Sequence, residues 1–235
     1  MGIMAQEAGQ KTERELIPMD LHRAVCVNVI DQGSHLDTKW NKVKRLVRLT
    51  FELADCRSEF EVDGEMKNLP RLMGKSYNLS LHEKAVLRQH LQSWRKKQFT
   101  PEELNGFDIS TLVGVPCMVN VEHYTGGDGK TYAGIGSIIG LGTGMQPPTP
   151  EGDTYYYSID DHGRDFPETM PDFLKQKVLA SIEMAGAPPA TPPPAQPAQA
   201  SAPVAPMPPV APPAAQGGFA LDGGAQGEAE EECPF

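Results

Sequence analysis

From Ala187 to Gln216 the chain is almost entirely proline, alanine, glutamine and valine. A stretch of this composition holds too little apolar surface to offset the conformational entropy lost on ordering it. It is expected to form an extended polyproline-type spacer, reaching on the order of 90 Å at ~3.1 Å per residue. A role as an SH3-type ligand is the other reading of such composition, although no basic residue flanks the run. A compact fold must therefore be completed upstream. The expected organisation is a flexible leader at 1–17, a folded body at 18–185, a disordered Pro/Ala/Gly-rich linker at 186–227 and an acidic tip at 228–235.

The net charge of −10 is unevenly placed. After residue 150 three basic residues face thirteen acids, while the first 150 residues are balanced. A neutral body with an acidic tail suggests that the tail is an interaction segment.

The body reads as strands, then helix, then strands. Leu21 to Ile30 is rich in β-branched residues and suits a strand. Asp31 to Lys42 reads as a polar loop. In Val43 to Leu53, Val43, Val47, Leu49, Phe51 and Leu53 share one face; Lys44, Arg48, Thr50 and Glu52 share the other. Arg45 falls on the apolar face near the strand entry. Lys75 to Leu79 is a third, shorter strand. Ser80 and Glu83 have the spacing of a capping box and predict a helix start, with Leu87, Leu91 and Trp94 as its core-facing stripe. Thr100-Pro101-Glu102-Glu103 predicts a second, short helix. Val115 to Tyr124 and Lys130 to Leu141 form a hairpin around TGGDG. Tyr155 to Ile159 is expected to add an edge strand, and Pro171 to Met184 an amphipathic helix with Leu174, Val178 and Ile182 inward.

Five strands with one helix between the third and fourth is the order of an OB-fold, a partly open Greek-key barrel that binds single-stranded nucleic acid. The expected class is thus mainly β with helices: an OB-fold-like barrel in the order β-β-β-α-β-β, a C-terminal helix and a disordered tail.

Other chemistries find little footing. Cys26, Cys56, Cys117 and Cys233 make no C-x-x-C pair and have no histidine at zinc-finger spacing, so neither metal nor cofactor is expected. No P-loop, nucleophile elbow or zincin motif occurs, which points to a binding protein rather than an enzyme. No apolar run is long enough for a membrane span and the N-terminus lacks a signal core, so a cytoplasmic protein is expected.

Proteins that hold single strands combine cations along a groove with aromatic platforms for the bases. The candidates are Lys39 and Trp40 in the first loop, Lys44, Arg45 and Arg48 on the second strand, Lys75 and Tyr77 on the third, and Tyr124, Lys130 and Tyr132 around the last hairpin. Tyr77 and Tyr132 are open between core and rim. Trp40 is the leading platform because a polar loop gives it little core to join; Phe51 and Trp94 are assigned to the core.

At the tip, Glu230, Glu231, Glu232, Cys233, Pro234 and Phe235 make a compact docking peptide. The aromatic ring suits an apolar pocket and the glutamates a basic rim. EEECPF resembles the acidic tip ending in Pro-Phe of bacterial single-stranded DNA-binding proteins, with Glu for the usual Asp run and Cys233 where an apolar residue is usual. The body is similar to a family of phage-encoded OB-fold single-stranded DNA-binding proteins. The matching stretches are AVCVNVIDQGS, VRLTFEL, GKSYNLSLHEKAVLRQHLQSWRKKQFTPEEL, GVPCMVNVEH, GKTYAGIGSI, and the later run from YYYSID to MPDFLKQKVLASIE. The resemblance implies a protein that binds single-stranded DNA without sequence preference. Its tip would recruit host or phage replication, recombination and repair proteins. An OB-like, protein-binding adaptor or regulator of a replication or nuclease complex is the alternative. Oligomeric state is not legible.

Overall fold

The computed structural model describes residues 15–62 and 64–186, without the side chain of Val62. The expectations for the linker beyond residue 186, the acidic tip and most of the leader lie outside the described residues. Ile17, expected to belong to the leader, is buried in the core, and its carbonyl lies 2.7 Å from His123 Nε2.

The architecture is mainly β and OB-like. Five antiparallel strands curl in the order β3-β2-β1-β4-β5. They are β1 (Leu21–Asp37), β2 (Lys42–Val62), β3 (Glu65–Asn78), β4 (Pro116–Thr125) and β5 (Thr131–Ile139). The curl brings β3 back towards β5, where Lys75 Nζ donates to the Ile135 carbonyl at 2.6 Å. Helix α1 (Val86–Arg95) lies between β3 and β4 in sequence and supplies Leu87, Leu91 and Trp94 to the core. Trp94 meets Phe51 edge-on at 5.6 Å and donates its indole N–H to the Pro116 carbonyl. Both aromatics are core residues, as expected. The interior is filled from β2 by Val47, Leu49, Phe51 and Leu53, and from the opposite wall by Val119, Val121, Ile135 and Ile138.

A short helix α2 (Pro101–Asn105) forms as expected, with both halves of the Thr100–Glu103 capping box made. Strand β6 (Tyr155–Tyr157) pairs in parallel with β1 at Asn28–Ile30, beyond the stretch of β1 that pairs with β4. It leads into α3 (Ile159–His162) and α4 (Asp172–Leu179). These elements build a second, smaller core on the outside of β1 from Ile30, Tyr157, Ile159, Met170, Leu174 and Val178.

Several expectations are corrected. The polar loop at 31–42 is mostly strand: β1 runs to Asp37 and a four-residue turn, 38–41, connects it to β2. Backbone pairing with Lys42–Val47 holds this polar stretch extended. Val43, assigned to the inward face, is exposed because the hairpin end projects past the core. Glu52, assigned to the solvent face, is buried, and its carboxylate accepts the N–H groups of Glu151 and Gly152 at 2.8 and 3.0 Å. The Ser80–Glu83 box does not form. Ser80 Oγ instead accepts from the His82 amide, and Ala85 precedes the helix without a side-chain cap. Turns occupy this stretch and bring Leu81 against the core. Ile182 follows the end of α4 rather than continuing its stripe.

The β2–β3 hairpin is also much longer than expected, with paired residues from Leu46↔Asn78 out to Val62↔Glu65. The signal was present: Asp63-Gly64 is a favoured two-residue hairpin turn, and Gly64 has φ of +81°.

Candidate nucleic-acid interface

The candidate residues separate into two groups at opposite ends of β1. Trp40 sits in the turn that follows Asp37, 64% exposed, with Lys39 Nζ 5.4 Å from its ring centroid. The tight turn leaves the indole no interior to enter. Tyr124 and Tyr132 lie at the other end, since β4 meets β1 at Leu21↔Asn120 and continues past it. They are direct cross-strand partners on β4 and β5, 57% and 40% exposed, with rings stacked at 5.8 Å. Their outward direction follows from alternation, because Val121 and Ile135 on the same strands point inward.

The two tyrosines are positioned by their neighbours. The Tyr124 ring lies over Gly134, where a Cβ would come within 2.8 Å of it. The Tyr132 hydroxyl donates to Asp128 Oδ2 at 2.6 Å, which raises the phenol's pKa. Lys130, in the same hairpin turn, is exposed. A shallow groove runs from this hairpin across the β5–β3 seam, lined by Tyr124, Gly134 and Gly136 on one side and Gly74, Lys75 and Ser76 on the other.

Arg48 continues the path on β2. Its guanidinium lies over Gly74, where a Cβ would stand 2.4 Å from Nη2. Burial lowers its pKa, and its Nε has no hydrogen-bond partner among the described residues. On the outer face of β2, β3, β5 and β4, three glycines are thus covered by planar groups of the protein itself: Gly74 by the Arg48 guanidinium, Gly134 by the Tyr124 ring and Gly136 by the Glu122 carboxylate. Such a surface has the shape and chemistry to take stacked rings and to pair with an anion.

Four candidates are engaged by the body's own groups. Tyr77 is core: it is 3% exposed and its hydroxyl lies 3.0 Å from His90 Nδ1. Its parity with Met73, which also points inward, was the available signal. Arg45 is bound to Asp31 and Asp160 at 2.6 and 2.7 Å, and the Asp31 hydrogen bond, the larger effect, raises its pKa. Lys44 is paired with Asp37 at 2.5 Å, which lowers the carboxyl's pKa. Lys75 spends its ammonium on the seam between β3 and β5, where burial lowers its pKa.

The most exposed phenylalanine among the described residues, Phe173, drew no assignment from sequence. Phe173 lies on α4 beside the buried Leu174, yet is 59% exposed. An aromatic lying just off the apolar stripe of an amphipathic helix was the signal.

Among the described residues, no group of three or more His, Cys, Asp or Glu side chains is placed to hold a metal ion, and no helix is long and apolar enough to cross a membrane. No protein-family model matches the chain, and no curated protein matches it.

Proposed function

We propose that this protein binds single-stranded DNA without strong sequence preference, in phage DNA replication, recombination or repair. In this reading the segment 228–235 recruits partner proteins. The observation that carries the proposal is the exposed, stacked Tyr124–Tyr132 pair on the outer face of an OB-like barrel, opening onto the groove that leads to Arg48. Each base stacked on an exposed aromatic is worth ~1–3 kcal/mol, and the pair offers two such rings side by side. Lys130 beside the pair, and Lys39 beside Trp40, supply charge for phosphates at each end. A binding surface of this kind reads no base edges, which suits sequence tolerance.

A second reading, an OB-like adaptor that binds protein, draws on the fact that Lys44, Arg45 and Lys75 are engaged by the chain's own groups. Anisotropy of a labelled thirty-base oligo-dT, titrated with the full chain at low salt beside a duplex of equal length, separates the two. Tight binding of the strand and weak binding of the duplex supports the proposal. No binding of the strand removes it and leaves the adaptor.

A further inference from the structure

Arg23, Arg45, Arg57 and Arg95 each have a carboxylate partner. Arg48 has none among the described residues, although burial lowers its pKa and isolates its Nε. A guanidinium that is partly desolvated without an anion is unfavourable unless a ligand supplies one. The acid nearest in sequence to Phe173, Asp172, is turned to Lys175 at 3.7 Å. The Arg48 guanidinium carbon stands over the Phe173 ring, 5.8 Å from its centroid, so cation and aromatic meet at one place on the surface and the ring's other face is left for a ligand. That location is continuous with the groove from Tyr124, because Gly74, on which Arg48 rests, lines the groove.

We propose that Arg48 and Phe173 form a one-nucleotide clamp: a base stacks on the open face of Phe173 while its phosphate pairs with the Arg48 guanidinium. The clamp carries the strand off the barrel onto the C-terminal extension, so α4 belongs to the binding surface and does more than complete the second core. An acidic peptide without an aromatic residue would satisfy Arg48 but would leave the exposed ring unused; a nucleotide uses both. The inference rests on the reading of the protein as a strand binder.

The test uses the full chain and the variants Phe173→Ala, Phe173→Trp and Arg48→Gln, titrated over a range of salt with thirty-base oligo-dT and with an abasic oligomer of equal length. Phe173→Ala is expected to weaken oligo-dT binding at least about fivefold, the lower end for one stacked base. It should leave both the salt slope and abasic binding unchanged, and Phe173→Trp should restore affinity. Arg48→Gln should reduce the salt slope by about 0.7 on both oligomers, the value for one phosphate contact on a single strand. Phe173 is exposed, so its variants keep the parent's melting temperature and decide the matter even if Arg48→Gln folds poorly. If the parent binds oligo-dT and Phe173→Ala binds equally well, the clamp is wrong and the strand-binding reading stands. If the parent binds no strand, both fall together.

Discussion

Tyr124 and Tyr132 stack across the β4–β5 hairpin with ring planes 28° apart, in a place where the core has no need of either. The pair's contribution to stability is therefore that of one surface cross-strand contact, about 0.2–1 kcal/mol. Its contribution to strand binding in the proposed function is larger. Tyr124→Ala and Tyr132→Ala should each weaken oligo-dT binding by about 1–3 kcal/mol while shifting a urea melt only slightly. Loss of folding without loss of affinity would place the pair in the fold instead.

The two tryptophans should behave in opposite ways. Trp94 packs on Phe51 and its N–H is bonded to Pro116, so Trp94→Ala should cost about 3–5 kcal/mol. Trp40 stands in the open turn, so Trp40→Ala should melt like the parent and lose affinity for single strands. Parallel thermal melts and oligo-dT titrations check both halves.

Acid should loosen the body through His90. Burial, and then the charge of Lys75, lowers this imidazole from 6.5 to about 4. The unfolded chain takes up the proton near pH 6.5, whereas the folded protein resists it until about pH 4. Stability is thus fully present above pH 6.5 and declines as pH falls towards 4. Urea midpoints measured from pH 7 to pH 4 should fall less steeply in His90→Gln than in the parent.

Arg48 should be kept at a cost to stability. Replacing a partly buried charge that has no counter-ion among the described residues with an apolar side chain of similar length removes a desolvation penalty. Arg48→Met should raise stability by about 1 kcal/mol and weaken strand binding, a trade-off typical of binding sites. A lowered melting temperature would mean that the guanidinium holds the sheet rather than a ligand.

The fold was legible wherever local chemistry and strand alternation agreed. TGGDG gave the β4–β5 hairpin, Thr100–Glu103 the short helix, and the stripe Leu87, Leu91, Trp94 the face of α1. Strand lengths were less legible, because the ends of β1, β2 and β3 leave the core and no longer need apolar residues on one face. The site was legible in its exposed aromatics and poorly so in its cations. Whether a lysine or arginine is free depends on partners far along the chain, as Arg45 shows with Asp160, and Arg57 with Glu151. That Arg48 has no carboxylate partner among the described residues could be recognised only once its surroundings were known.

The most direct test of strand binding is the intrinsic fluorescence of the full chain on addition of thirty-base oligo-dT. Trp94 is enclosed and should respond little, so the signal reports Trp40. The account predicts saturable quenching at low salt that Trp40→Phe abolishes. It also predicts that log K falls with log salt at a slope of about −0.7 per phosphate contact, hence near −2 if Lys39, Arg48 and Lys130 each meet one. Unchanged fluorescence at low salt, together with no displacement of a labelled strand, would contradict it.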